Sequence, residues 1–143
     1  LYSKYARRKL NTLRKEIKRK KIKNNFIDIK SYRSQLSRDF SEKIACISHI
    51  QDFYSTSMFV DLLFHQHEKQ FSLIEIKKYI QKLGLVFCGF EDKRIKSLFK
   101  TQNKSNQDLY DLEKWNLFEI KNPDIFTGMY QFWCQKDKNS SYI

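Results

Sequence analysis

Cysteine and histidine are the side chains in this sequence whose types and spacing come nearest to a metal site. Cys46 and His49 form a Cys-x-x-His pair, and His65 and His67 form a His-x-His pair. Such side chains bind zinc, but a structural zinc site usually adds a second closely spaced cysteine pair. The sequence has no such pair and nothing in it brings the two pairs together, so we expect no bound metal.

His65 is the one side chain that the pattern itself offers for acid–base chemistry. It follows Leu-Leu-Phe at the predicted end of a short helix. An imidazole exchanges a proton near neutral pH, so His65 is a candidate general base or hydrogen-bond donor. The alternative, which we favour, is a histidine that satisfies free carbonyls at the helix end. A Ser-His-Asp order, paired catalytic carboxylates and a P-loop are all missing from the sequence.

The positive charge is concentrated at the start of the chain. The formal net charge is +12, and residues 1–23 contain 11 Lys or Arg and one Glu. Such a segment, Lys4 to Lys23, attracts the phosphates of nucleic acid or of a membrane surface. A solvated helix face of a lysine-rich protein explains the same pattern, and we favour that explanation. A basic helical nucleic-acid-binding module is therefore the second hypothesis for function.

The remaining composition fits a globular protein of the cytoplasm. Its three cysteines are far apart and odd in number, which favours a reducing compartment. An apolar run of about 18 residues, which a membrane-spanning helix needs, does not occur. The chain begins with Leu1 rather than Met, and we expect it to be part of a longer protein.

Residues 71–90 are the best-specified stretch and read as a helix followed by a strand. Ser72 and Glu75 have the spacing of a capping box, and Gly84 stands where the helix should end. Residues 85–90 then have no polar side chain, which predicts a strand covered on both faces. Residues 128–136 are the only other good strand candidate, so two strands near 85–90 and 129–135 should pair in an antiparallel sheet.

The other segments read as helices. A basic helix is predicted within residues 1–23, further helices within 28–67, and a helix–strand–helices–strand unit over 71–136, with a frayed tail at 137–143. Asp28, Asp92 and Asp108 are predicted N-caps. Trp115 and Trp133 are both expected in the core, Met58 on the buried side of a short helix, and Cys88 and Cys134 buried in the strands. A purely helical interaction domain is a third hypothesis, and it requires that 85–90 and 129–135 are not paired.

Four motifs, taken in order, resemble a known family. They are LYSKYARRK at 1–9, DFYSTSMFVDLLFH at 52–65, FSLIEIKKYIQKLGLVFCGFE at 71–91 and NPDIFTGMYQFWCQK at 122–136. Together they resemble the C-terminal part of bacterial class I S-adenosylmethionine-dependent methyltransferases, of the type often fused to tetratricopeptide repeats. The resemblance covers residues 1 to about 136.

The resemblance implies an α/β fold, the C-terminal portion of a Rossmann-like methyltransferase fold that is mostly helical. Residues 1–3 would end the fifth strand, residues 85–90 would be the sixth, and residues 128–136 the seventh, antiparallel to its neighbours. The helices of 28–67 would be an insertion on the substrate side. The missing N-terminal half of the domain would be the partner of this chain.

The resemblance also implies where ligands would bind. Tyr2, Tyr54, His65 and Glu68 are the substrate-facing candidates. Tyr2 and Tyr54 could line a pocket at the carboxyl ends of the strands, where open α/β sheets bind ligands, although we favour core packing for both. His65 and Glu68 belong to a Leu-Leu-Phe-His stretch, with Glu68 close behind, that the resemblance implies is recurrent. S-adenosylmethionine would be the cofactor of the full-length protein. The three glycines of this chain form no Gly-x-Gly, so no cofactor-binding residue is expected here and the chain alone should be inactive.

Overall fold

A computed structural model describes residues 1–38, 55–65 and 68–137 of the chain. It divides into two compact units: unit 1 comprises residues 1–7 and 69 onwards, and unit 2 comprises residues 8–68. In the described ranges, helices occupy more of the chain than strands do. None of the described helices is long and apolar enough to cross a membrane.

Unit 1 contains short strands and three α-helices. Its elements are β1 (Tyr2–Ser3), β2 (Gln70–Phe71), α4 (Leu73–Lys82), β3 (Leu85–Phe90), α5 (Lys93–Gln102), a 3-10 helix (Asn106–Tyr110), α6 (Leu112–Lys121) and β4 (Phe132–Lys136). Unit 2 contains α1 (Arg8–Arg19), α2 (Phe26–Arg38) and α3 (Thr56–Phe64).

The two predicted strands pair as expected. β3 and β4 are antiparallel, from Leu85 opposite Lys136 to Phe90 opposite Phe132, with an irregularity between Phe87 and Gly89. The prediction of an antiparallel pair is confirmed, and this pairing excludes the purely helical alternative.

The first residues of the chain join the same layer of extended segments. Tyr2 forms an antiparallel bridge with Met129, and the backbone N–H of Tyr130 donates to the carbonyl of Leu1 at 2.7 Å. On its other side, β1 pairs in parallel with β2, with Tyr2 opposite Gln70. The described strands thus form two two-stranded sheets, β1–β2 and β3–β4, which are linked by the bridge between Tyr2 and Met129. Through it, segment 129–136 lies between β1 and β3 and is antiparallel to both.

Burial of the strands on both faces, by contrast, was a wrong prediction. Val86 is 41% exposed and Trp133 is 63% exposed, although Trp133 was expected in the core. Cys88 and Cys134, expected to be buried, are only partly covered. α4 and α5 contact β3, and the inward side chains of the strands join the core. Cys134 packs against this core, whereas Val86 and Trp133 are on the exposed face.

The core of unit 1 is largely aromatic. Trp115 is fully buried, stacks on Phe99 with ring centroids 3.8 Å apart, and meets Phe90 edge-on at 4.8 Å. The buried members of this core are Leu73, Ile76, Ile80, Phe87, Phe90, Ile95, Phe99, Leu112, Trp115, Phe118, Phe126 and Tyr130. The expected core position of Trp115 is confirmed.

Local signals fix the ends of the helices in unit 1. The capping box of Ser72 and Glu75 is present, and Gly84 takes the left-handed conformation with φ 63°. Asp92 caps α5 as predicted. Asp108 does not cap a helix as predicted: it lies in the 3-10 turn, and Asp111 caps α6 instead by accepting two backbone N–H groups.

Unit 2 is held by three apolar stripes. The buried side chains are Leu10, Leu13 and Ile17 of α1, Ile29, Tyr32 and Leu36 of α2, and Phe59, Leu62 and Leu63 of α3. The basic helix predicted for residues 1–23 is shorter than expected. It begins at Arg8 because residues 2–3 are extended, and it ends at Arg19, before Lys21 adopts a positive φ of 53°.

Two other expectations for unit 2 have definite outcomes. Met58 was expected on the buried side of α3 but is exposed. Asp28 does not cap α2; Asn25 does, because its side-chain oxygen accepts the backbone N–H of Asp28 at 2.9 Å. The helical turns predicted at 39–49, with Cys46 and His49, lie outside the described residues, as does His67.

Candidate functional site

The substrate-facing candidates are distributed over both units. Tyr2 lies in unit 1, where the Arg7 guanidinium stands 4.2 Å from the centre of its ring. Tyr54 lies outside the described residues. His65 is exposed in unit 2, directly after α3, and its backbone N–H donates to the carbonyl of Asp61. His65 therefore lies at the end of α3. Both interpretations of its side chain, as a general base or hydrogen-bond donor and as a partner of free helix carbonyls, assume this position.

Glu68 is engaged in an ion pair inside unit 2. Its carboxylate lies 3.0 Å from Nη2 of Arg14, and both side chains are largely shielded from solvent. The same guanidinium donates to the carbonyl of Leu62 at 2.7 Å. Arg14 thus joins the end of α3 to α1 through charge-assisted hydrogen bonds, which are stronger than neutral ones. This geometry gives Glu68 a structural partner, and a substrate-facing role for it stays a prediction.

A cleft in unit 1 lies where β3 ends. Its volume is about 230 Å³. It is lined by Phe90 at the end of β3, by Asp92 and Arg94 at the start of α5, and by the loop that leads to β4, including Gly128 and Met129. Because β1 and β3 both run antiparallel to segment 129–136, their carboxyl ends face this same edge. Ligands of open α/β sheets bind at such an edge.

A buried polar network lies beside that edge. Glu119 of α6 is fully buried and accepts hydrogen bonds from the hydroxyl groups of Ser3 and Tyr130. The Tyr130 oxygen lies 2.7 and 2.9 Å from the two carboxylate oxygens. Ser3 Oγ also accepts the backbone N–H groups of Tyr5 and Ala6. One carboxyl group therefore ties the end of β1 to α6 and to the segment before β4.

Burial sets the protonation of this network. It raises the pKa of the Glu119 carboxyl above its ordinary value of 4.5, although the hydrogen bonds from Ser3 and Tyr130 act in the opposite direction. Burial also raises the pKa of Tyr130, and the nearby Glu119 carboxyl adds to that rise. Glu119 is fully buried, and its carboxyl holds the side chains of Ser3 and Tyr130 in place.

The contribution of Glu119 to the free energy of unfolding should fall as the pH rises above about 4.5, the ordinary pKa of its carboxyl. The total loss depends on how far the pKa is raised in the folded state. The folded state holds this proton more tightly than the unfolded state, so the stabilisation is complete below the unfolded pKa and is lost as the pH passes the folded pKa. The loss should be about 1.4 kcal/mol for each pH unit between the two pKa values. Urea unfolding of the wild type and of Glu119→Gln, from pH 4 to 8, measures it.

The glutamine variant should lack this slope, since it cannot ionise. Glu75 cancels from the comparison because both proteins contain it, with a pKa that hydrogen bonds from Lys4 and Ser72 lower to about 2 in the folded state. A wild type and variant with parallel pH profiles would show that Glu119 does not titrate differently on folding.

The sequence places Glu119 on the buried side of its helix, but the spacing does not identify its hydrogen-bond partners. Leu112, Trp115 and Glu119 are spaced three and four residues apart, so Glu119 falls on the buried stripe of α6. A carboxyl at such a position needs hydrogen-bond partners, but its partners Ser3 and Tyr130 are remote in sequence.

For metals, the parts of the chain that the structure describes hold no group of three His, Cys, Asp or Glu able to bind an ion.

Comparison with known proteins gives no family for the chain. No family model, no curated protein and no solved structure matches it.

Proposed function

We propose that this chain is the C-terminal part of a class I S-adenosylmethionine-dependent methyltransferase. One observation carries the proposal: the last extended segment, 129–136, lies between β1 and β3 and is antiparallel to both. The four motifs that resemble this family imply the same order, with a seventh strand antiparallel to its neighbours.

This arrangement is more specific than a simple hairpin. β3 and β4 could pair as neighbours in many folds, because sequential strands often lie side by side. Here segment 129–136 also lies between β1 and β3. Because it is antiparallel to both, β1 and β3 are parallel to each other. Sheets that mix parallel and antiparallel strands are common in α/β folds.

In this proposal the chain finishes the sheet and contributes to the substrate side. The cofactor would be bound by a Gly-rich loop and an acidic residue of the N-terminal half, since no Gly-x-Gly occurs here. The carboxyl edge of β1 and β3, with its cleft, would face the methyl acceptor. Tyr2, Tyr54, His65 and Glu68 remain the proposed substrate-facing side chains, and the enzyme would work in the cytoplasm.

Calorimetry on an extended protein tests the proposal. The chain is expressed alone and joined to the sequence encoded upstream of Leu1, and each is titrated with S-adenosylmethionine. The joined protein should bind the cofactor and the chain alone should not. Absence of binding by a folded joined protein, or an upstream sequence without a Gly-rich loop after a strand, would contradict the assignment.

A further inference from the structure

Nearly all the net charge of the protein lies on the first two helices of unit 2 and the connector between them. Residues 8–38 contain twelve Lys or Arg and two acidic side chains, a net of +10 out of +12. The apolar stripes of α1 and α2 are buried, so the basic side chains lie off those stripes. The exposed ones are Arg8, Lys9, Lys15, Lys18, Arg19, Lys20, Lys21, Lys23, Lys30 and Arg38.

The two acidic side chains of this region are already engaged. Lys20 Nζ lies 2.6 Å from the Glu16 carboxylate. The Asp28 carboxylate accepts the backbone N–H of Lys23 and the amide of Asn25, each at 3.1 Å. Their charges therefore offset only a small part of the positive potential.

Exposed apolar side chains stand inside this basic cluster. Phe26 is 68% exposed and Ile27 is 77% exposed at the start of α2. Lys30 Nζ stands 5.9 Å from the centre of the Phe26 ring, and Lys23 lies just before it in the chain. An open aromatic face among cations is what a stacked base and its phosphates require.

A polar cleft adjoins the same cluster. It has a volume of about 260 Å³, and its lining includes Lys20, Lys21, Ser31, Tyr32 and Gln35. The Tyr32 side chain is only 2% exposed, and its hydroxyl has no hydrogen-bond partner among the described residues. Burial, with the Glu16 carboxylate nearby, raises the pKa of Tyr32 to about 12. The neutral hydroxyl is thus a donor that lacks an acceptor, which is unfavourable in a buried position.

We propose that the cationic surface formed by α1 and α2 binds single-stranded nucleic acid. The lysines hold phosphates, Phe26 stacks on a base, and the Tyr32 cleft receives an acceptor group of the nucleotide. A membrane surface fits less well, because the apolar stripe of α1 is buried in the core and the cleft is lined by polar groups. The site lies wholly in unit 2 and does not depend on the methyltransferase assignment.

Fluorescence anisotropy with the full chain tests the proposal. The probes are a labelled single strand of mixed sequence, about 20 nucleotides long, and the matching duplex, at about 50 and 200 mM salt. The single strand should bind more tightly than the duplex, and binding should weaken at the higher salt. The triple variant Lys21→Gln, Lys23→Gln, Lys30→Gln should reduce the slope of log K against log salt by about 2.

The matched control removes three charges from unit 1. Lys78→Gln, Lys82→Gln, Lys93→Gln changes exposed lysines of equal number and should leave binding within about twofold, because none of them belongs to the proposed surface. Phe26→Ala should weaken binding about tenfold. Tyr32→Phe should weaken it about fivefold, since it removes the donor alone.

Several results would overturn the proposal. They are no binding at low salt, equal losses in the two triple variants, or full affinity in both Phe26→Ala and Tyr32→Phe. Equal affinity for duplex and single strand would contradict the proposed stacking of Phe26 on a base. Binding to vesicles of phosphatidylserine and phosphatidylcholine without binding to oligonucleotides would assign the surface to membranes.

Discussion

Replacing Trp115 with alanine should lower the free energy of unfolding by about 4 kcal/mol, because it empties the centre of the aromatic core of unit 1. Trp115 is fully buried and contacts the rings of Phe99 and Phe90. Its indole N–H also donates to the carbonyl of Leu109 at 3.0 Å, so the variant loses a hydrogen bond as well. Urea unfolding followed by circular dichroism measures the change.

Trp133→Ala is the matched control, because it removes the same side chain from an exposed position. Trp133 is on the open face of β4, so this change should cost less than about 1 kcal/mol. A loss at Trp133 as large as that at Trp115 would mean that the outer face of the sheet is covered in the folded protein.

Glu119→Ala should lower the free energy of unfolding by about 3 kcal/mol. The variant leaves the hydroxyl groups of Ser3 and Tyr130 buried without their acceptor, and each such group costs about 1–3 kcal/mol. It also leaves space beside Tyr130. Chemical unfolding at pH 4, below the ordinary carboxyl pKa of 4.5, gives the largest difference from the wild type, because the stabilisation that comes from the raised pKa of Glu119 is complete there.

Glu113 supplies the comparison on the same helix. Its carboxylate is exposed and pairs with Lys77 at 2.6 Å, and exposed pairs contribute about 0–1 kcal/mol. Glu113→Ala should therefore change stability by less than about 1 kcal/mol. A Glu119→Ala protein as stable as Glu113→Ala would show that the buried network adds nothing to the fold.

The local chemistry of the chain could be predicted from sequence, because it acts over four or five residues. The capping box of Ser72 and Glu75 and the left-handed Gly84 depend only on their immediate neighbours, and both are confirmed. The cap of α6 was placed at Asp108 rather than Asp111, because two aspartates three residues apart offer the same signal.

Exposure of Val86 could not be predicted in the same way, whereas Gln131 and Gln135, two positions on either side of Trp133, marked its face as open. A strand shows which face it buries by alternating polar and apolar side chains, and residues 85–90 contain only apolar side chains and glycine. Every face of such a strand looks buried. For β1 the resemblance implied a strand end at residues 1–3, whereas periodicity did not, because two residues are too few to show any.

The network around Glu119 was out of reach because it joins residues from distant parts of the chain. Ser3 and Glu119 are 116 positions apart. Spacing along one helix places Glu119 on the buried side, but only the folded arrangement of β1 and α6 identifies its partners.

The backbone N–H of Lys4 donates to the carbonyl of Phe71 at 3.0 Å, so the chain leaves unit 1 and returns to it at neighbouring points. Residues 8–68 are thus an insertion between two segments of unit 1 that are hydrogen-bonded to each other. Such an insertion can be lengthened, shortened or replaced without breaking that pairing, in the way that loops tolerate inserted domains. Selection could therefore remodel the basic helices quite separately from the aromatic core.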